Sequence, residues 1–129
     1  MSEPPPLRVL VVDDDPAMLR LVRRCLAGEG LAVEVAAGGD EAIVSLERER
    51  FDAVILDLQM PHTDGRAVFR NMRSGGDRTP VLILSAYGAE AARGELQAEA
   101  AMSKPFDVDE LVGAVLALTR ASRPPPPRK

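Results

Sequence analysis

The sequence contains one cysteine and no tryptophan, and aromatic residues make up only 3% of its 129 residues. A single cysteine, Cys25, cannot form an internal disulfide, so a reducing cytoplasm fits this composition. Cys25 lies on the apolar face of a predicted helix, and we expect a core residue rather than a reactive thiol. The scarcity of aromatic rings argues against a stacking platform for single-stranded nucleic acid.

Long hydrophobic runs are also missing. No run approaches the roughly 20 residues that a membrane-spanning helix needs. The start of the chain, Met1-Ser2-Glu3-Pro4, lacks the basic and apolar regions of a secretory leader. The net charge of −4 provides no general attraction to nucleic acid. We therefore expect a cytoplasmic, single-domain protein that binds neither a membrane nor nucleic acid directly.

Lysine is rare compared with arginine. Of the 16 basic residues, 14 are Arg, and the two lysines are Lys104 and Lys129. In a chain with this preference, a lysine in the body indicates a position that needs a compact ammonium rather than a planar guanidinium. The alternative is that lysine occurs at this position by chance.

Strand-like and helix-like segments alternate five times along the chain. Apolar runs near residues 7–12, 31–36, 53–57, 81–85 and 100–103 predict the strands, and amphipathic segments between them predict the helices. Asp15 is the expected N-cap of the first helix, with Pro16 at its first position. Its expected core face is Met18, Leu21, Val22, Cys25 and Leu26. This alternation predicts a parallel sheet covered by helices on both faces, an α/β fold of three layers.

Acidic residues follow two of the predicted strands. The first run ends on Asp13-Asp14-Asp15, and the third ends on Asp57. The carboxyl ends of parallel strands share one sheet edge, where open α/β sheets bind ligands. Carboxylates about 5 Å apart repel by about 3 kcal/mol per pair at an effective dielectric constant of 20, and a hard cation such as Mg²⁺ relieves that repulsion. We assign Asp13 and Asp14 to the metal.

The same edge has the groups needed for phosphoryl transfer. Opposite a cation, the carboxylate of Asp57 can act as a nucleophile toward phosphorus and form an acyl phosphate. Ser85, at the end of the fourth strand, can donate its hydroxyl to a phosphoryl oxygen. Lys104, after the fifth strand, can neutralise the negative charge of the phosphoryl group.

The order and spacing of four motifs resemble the receiver domains of bacterial two-component response regulators, in the CheY-like superfamily. The motifs are Val9–Pro16, Asp57–Gly65, Ser85-Ala86 and Lys104-Pro105-Phe106. The resemblance covers residues 7–121 and leaves proline-rich ends, residues 1–6 and 122–129, which we expect to be disordered. A proline-rich ligand for a partner is the alternative role of the C-terminal tail. The implied fold is flavodoxin-like, with a five-stranded parallel sheet of order 2-1-3-4-5 and five helices.

The resemblance also implies roles for the site residues. Asp57 accepts a phosphoryl group from a sensor histidine kinase or a histidine phosphotransfer protein. Asp14 and Asp57 bind Mg²⁺ directly, Asp13 binds it largely through water, and the backbone carbonyl of Gln59 is a further ligand. Lys104 pairs with the phosphate, and the Lys104–Pro105 bond is cis.

The implied activity is that of a switch rather than an enzyme, limited to self-phosphotransfer and slow autodephosphorylation. Phosphorylation adds charge and acceptor oxygens that Ser85 and Lys104 move to meet, and a downstream protein binds the altered surface. Exposed residues of the first helix, Ala17, Arg20 and Arg24, are candidate kinase contacts, and a solvated basic face is the alternative. Since no DNA-binding or catalytic domain follows residue 122, we expect the output to come from another protein or from the rest of a longer regulator.

Two features depart from the family pattern. Ala101 stands where receivers usually have Tyr or Phe, and only 19 positions separate Ser85 from Lys104, about three fewer than usual. We expect the fourth helix or its flanking loop to be shorter by roughly a turn. We expect Tyr87 to be a partly exposed loop residue rather than a replacement for the missing aromatic. A receiver-like interaction module that works without phosphorylation is the alternative function. An aspartate-based phosphohydrolase fits less well, because Ala17 stands where that family has Thr or Val.

Overall fold

The computed structural model describes residues 5–122, which form a three-layer α/β fold. The strands are β1 (Arg8–Val12), β2 (Ala32–Ala36), β3 (Ala53–Asp57), β4 (Val81–Ser85) and β5 (Ala100–Ser103). The helices are α1 (Pro16–Ala27), α2 (Gly39–Arg48), α3 (Gly65–Ser74), α4 (Ala89–Leu96) and α5 (Val108–Ser122). The strands pair in parallel in the order β2-β1-β3-β4-β5, so the predicted flavodoxin-like topology is confirmed. Most of the proline-rich ends lies outside the described residues.

The three central strands are almost entirely buried and divide the core into two clusters. Alternate residues of each strand face opposite sides of the sheet, so Leu10 and Leu56 belong to one cluster and Val9 and Ile55 to the other. Helices α2, α3 and α4 cover the first cluster, and α1 and α5 cover the second. Burial of each large aliphatic side chain contributes about 1.5–3 kcal/mol. No helix of the described region is long and apolar enough to span a membrane.

Helix α1 begins as predicted, but its buried face is different. Asp15 Oδ1 accepts a hydrogen bond of 3.0 Å from the backbone N–H of Ala17, and Pro16 is the first helical residue. The prediction that Leu21 is a core residue is wrong: it is 47% exposed, whereas Leu19 is only 7% exposed. At roughly 100° per residue, Leu21 lies about 200° around the helix from Leu19. The core stripe is centred on Leu19, Val22 and Leu26, and the half-buried Cys25 lies at its margin.

Helix α4 is short, at eight residues, and ends at Leu96. Gly88 before it and Gln97 after it both have left-handed backbone conformations, with φ of 60° and 62°. Ala101, on the neighbouring β5, is half-buried against the core. Tyr87, in the loop before α4, is 82% exposed and so does not fill the space of an aromatic at position 101.

Candidate functional site

The structure brings three of the predicted acids together at the carboxyl edge of the sheet. Asp13 and Asp14 follow β1, Asp57 ends β3, and these strands are neighbours. One carboxylate oxygen from each acid lies within 4.8 Å of the other two. Asp13 and Asp57 are buried, whereas Asp14 is exposed. The cluster therefore has two acids shielded from water and one facing it.

Lys104 reaches this cluster from the segment after β5. Its Nζ donates a hydrogen bond of 2.8 Å to Asp13 Oδ2 and lies 3.3 Å from Asp57 Oδ2. Burial alone would lower the pKa of Lys104, but the hydrogen bond and charge of Asp13, together with the charge of Asp57, raise it above its usual value. The ammonium is therefore protonated at neutral pH. The Lys104–Pro105 peptide bond is cis, as the resemblance implied.

Asp57 is held in an environment that disfavours its charge. Burial is the largest cause that raises its pKa, and the nearby charge of Asp13 raises it further. Lys104 and the backbone N–H of Gln59, which donates to Asp57 Oδ1 at 3.1 Å, offset part of that effect. An additional cation beside Asp57 would therefore stabilise the ionised carboxylate.

The geometry of the acids fits a small divalent cation. In octahedral Mg²⁺, with metal–oxygen distances of about 2.1 Å, neighbouring ligands lie about 3 Å apart and opposite ligands about 4.2 Å apart. One oxygen each from Asp13, Asp14 and Asp57 lies within 4.8 Å of the other two, so direct binding of one ion by all three requires them to move closer together. All three are hard carboxylate ligands, and the exposed position of Asp14 leaves room for the water molecules that Mg²⁺ retains.

Ser85 ends β4 next to Asp57 and is completely buried. The register pairs Asp57 with Leu84, so Ser85 lies one residue beyond the level of the carboxylate. Its Oγ lies 2.7 Å from the side-chain Nε2 of Gln59 and 2.6 Å from the carbonyl oxygen of Tyr87. The sequence-based interpretation gave Gln59 only a backbone role and missed its side chain, because no periodicity or motif signals such a contact.

Gly65 lets the loop after Asp57 pack closely against the end of β3. A Cβ atom at Gly65 would lie 2.3 Å from the backbone oxygen of Asp57, so only glycine allows this approach without a shift. The preceding Asp64 caps α3 by accepting a 3.0 Å hydrogen bond from the N–H of Ala67. On the other side of the loop, Thr63 Oγ1 donates to Asp40 Oδ1 at 2.6 Å. These contacts hold the segment after Asp57 against both α2 and α3.

Comparison with known proteins identifies the family of this arrangement. The family model described as "Response regulator receiver domain" matches residues 9–116. The response regulator MprA of Mycolicibacterium vanbaalenii is 41% identical over 122 residues, covering 92% of this chain and 53% of that protein. MprA of Mycobacterium leprae is 40% identical over 121 residues, with the same coverage. The chain thus spans about half the length of the curated relatives it matches.

Solved structures agree with the sequence relatives. The Francisella response regulator 1452 receiver domain superposes with a TM-score of 0.85 at 29% identity, over 91% of this chain and 99% of that one. The response regulator TrrA of Thermotoga maritima, solved in complex with Mg²⁺-BeF, has a TM-score of 0.79 at 32% identity, covering 87% and 98% of the two chains. Receiver domains are signalling modules rather than conventional enzymes. The chain belongs to the response regulator receiver domain family of two-component systems.

Proposed function

We propose that Asp57 accepts a phosphoryl group from the phosphohistidine of a sensor kinase or a histidine phosphotransfer protein, in a Mg²⁺-dependent reaction in the cytoplasm. The observation that carries this proposal is the position of Asp57, which ends a buried strand with two acids and one ammonium around it. A carboxylate oxygen of Asp57 attacks phosphorus, the phosphorus–nitrogen bond breaks, and the imidazole leaves with the electron pair. The product is an acyl phosphate on Asp57.

The metal ligands in this proposal are carboxylate oxygens of Asp13, Asp14 and Asp57 and the backbone carbonyl of Gln59, with Asp13 acting largely through water. When bound, Mg²⁺ neutralises charge on the acids and on the transferring phosphoryl oxygens. The cluster within 4.8 Å supports this assignment. The Mg²⁺-BeF complex of the related TrrA supports the same metal.

The remaining residues of the site neutralise and orient the phosphoryl group. Lys104 already lies 3.3 Å from Asp57 Oδ2 and supplies a fixed positive charge near the developing acyl phosphate. Ser85 donates its hydroxyl to a phosphoryl oxygen after phosphorylation. Hydrolysis of the acyl phosphate by water, which we propose to be slow, resets the switch.

Signalling follows from the movement of the side chains that meet the new charge. A phosphoryl group adds negative charge and acceptor oxygens, and Ser85 moves toward them. Its hydrogen bonds to the N–H and carbonyl of Tyr87 connect this movement to the exposed loop before α4. We propose that a downstream protein binds the surface formed by this loop, α4 and β5.

The test is incubation with acetyl phosphate and Mg²⁺, followed by intact mass spectrometry. We expect a mass gain of one phosphoryl group in the wild type, none in Asp57→Asn, and none when a chelator is present. Asp109→Asn is the matched control, because Asp109 is an exposed acid in the first turn of α5, and this variant should be labelled like the wild type. An unlabelled wild type contradicts the proposal and favours the phosphorylation-independent module. Ala101 and the eight-residue α4 are the features that support that second function.

A further inference from the structure

The hydroxyl of Ser85 is already fully hydrogen-bonded in this structure. Its Oγ lies 2.6 Å from the carbonyl oxygen of Tyr87, 2.7 Å from Nε2 of Gln59 and 3.2 Å from the N–H of Tyr87. A serine hydroxyl has one proton to donate and two lone pairs that accept. Donation to the carbonyl and acceptance from the two N–H groups use all three.

The orientation of the Gln59 amide follows from a neighbouring donor. The backbone N–H of Ala86 points at Gln59 Oε1, at a distance of 3.1 Å. Oε1 is therefore the acceptor for Ala86, which leaves Nε2 as the donor to Ser85. Ser85 Oγ also lies 3.0 Å from Oε1, but its single proton is committed at the shorter distance to Tyr87. The Gln59 side chain thus binds the two residues at the end of β4 and just beyond it.

We propose that the Gln59 side chain is a positioning residue, a latch that holds Ser85 in an arrangement that cannot donate to a phosphoryl group on Asp57. The inference rests on the proposed function, because it concerns the same acceptor. To donate to the new oxygens, Ser85 must withdraw its proton from the Tyr87 carbonyl and move its Oγ toward Asp57, and that movement breaks the contact with Gln59. The backbone of Gln59 also donates to Asp57 Oδ1 at 3.1 Å, so one residue contacts both the acceptor and the hydroxyl.

The latch has a limited strength because of where it lies. Gln59 is exposed, so water can replace its bonds when it is displaced, whereas Ser85 beneath it is buried. When water can replace the lost partner, a neutral hydrogen bond changes an equilibrium constant by about two- to tenfold. Removal of the latch should therefore strengthen the binding of a phosphoryl analogue by a similar factor.

The test compares the wild type with Gln59→Met, Ser85→Ala and the double variant. Methionine keeps the length of the side chain and its cover over Ser85 but makes neither hydrogen bond. The probe is beryllofluoride at saturating Mg²⁺, and its dissociation constant is measured by calorimetry. We expect about two- to tenfold tighter binding for Gln59→Met in the wild-type background and less than a twofold change in the Ser85→Ala background.

A second measurement needs neither metal nor analogue. The amide N–H of Ala86 donates a hydrogen bond to Gln59 Oε1, so its hydrogen exchange in metal-free protein should be faster in Gln59→Met, while exchange in the centre of β4 stays unchanged.

Three results would overturn the latch: unchanged or weaker analogue binding in Gln59→Met, the same gain in the Ser85→Ala background, or unchanged exchange at Ala86. If the wild type binds no beryllofluoride and forms no phosphoryl adduct, the proposed function itself fails, and the latch fails with it. A wild type that binds the analogue while Gln59→Met shows no gain disproves the latch alone.

Discussion

In the absence of metal, replacement of Asp57 by asparagine should make the protein more stable at neutral pH. Asparagine has nearly the same shape as aspartate, and with its oxygen in the place of Oδ1 it still accepts the hydrogen bond from the N–H of Gln59, while its NH₂ group replaces Oδ2 beside Lys104. What it removes is a negative charge that is only 2% exposed and lies beside another buried acid. Because the variant keeps the shape of the side chain and loses its charge, the change in stability reports electrostatics rather than packing.

The size of the effect follows from three opposing contributions. Repulsion between Asp57 and Asp13, with oxygens within 4.8 Å, is about 3.5 kcal/mol or more at an effective dielectric constant of 20. Attraction to Lys104 at 3.3 Å is about 5 kcal/mol on the same scale. Burial of the carboxylate costs several kcal/mol more, which outweighs the remaining attraction. We expect Asp57→Asn to gain about 2 kcal/mol in the free energy of unfolding.

The gain should depend on pH in a defined direction. The pKa of Asp57 in the folded protein is raised above its ordinary value of 3.8, mainly by burial. Ionised Asp57 therefore destabilises the fold at every pH above its folded pKa, and this cost is lost as the pH falls below 3.8, where the group is protonated before and after unfolding. The advantage of the variant should be larger at pH 7 than near pH 4.

Urea unfolding with a chelator present, followed by far-ultraviolet circular dichroism, measures this gain. With a slope of about 1–3 kcal/mol/M, a change of about 2 kcal/mol moves the midpoint by roughly 1 M. Asp109→Asn, which removes an exposed acid, should shift the free energy by less than about 0.5 kcal/mol. An Asp57→Asn variant no more stable than the wild type at pH 7, or equally favoured at both pH values, would refute the reasoning.

Three further predictions concern the same site. Lys104→Met should lower the free energy of unfolding by about 3 kcal/mol at pH 7 in urea titrations, because the carboxylates of Asp13 and Asp57 lose their counter-charge. The loss should be smaller at pH 4, and equal losses at both pH values would contradict this prediction. Millimolar Mg²⁺ should raise the melting temperature of the wild type but not of Asp57→Asn; an unchanged wild-type midpoint would count against the metal site. Gly65→Ala should lower the free energy of unfolding by about 2 kcal/mol or more, because its Cβ would lie 2.3 Å from a backbone oxygen. Gly94→Ala in α4 has open space around the new Cβ and should raise the free energy of unfolding by up to about 1 kcal/mol. A Gly65→Ala variant as stable as the wild type would disprove the close approach.

The fold and the set of residues at the sheet edge could be predicted because they depend on local patterns. Apolar runs of strand length that end on acids place Asp13 and Asp57 at one edge as soon as the strands are parallel. The cap at Asp15 also has a local signature, with proline following it. These features need only the order of residues along the chain.

Contacts between segments distant in sequence could not be predicted in the same way. The hydrogen bond from Gln59 to Ser85 joins residues 26 positions apart, and it depends on how the loop after β3 lies over the end of β4. The error at Leu21 has a related cause, because two overlapping apolar stripes fit the sequence of α1 and only packing on the sheet selects the one through Leu19.

The backbone N–H of Lys104 donates to the carbonyl oxygen of Ser85 at a distance of 2.9 Å. The two residues proposed to meet the phosphoryl group are therefore joined through the main chain. A displacement of the end of β4 should therefore be transmitted to the end of β5, and we expect the responses of Ser85 and Lys104 to be coupled. Substitutions on β5 that never touch the acids should thus alter the position of Ser85, and selection can tune the switch from either strand.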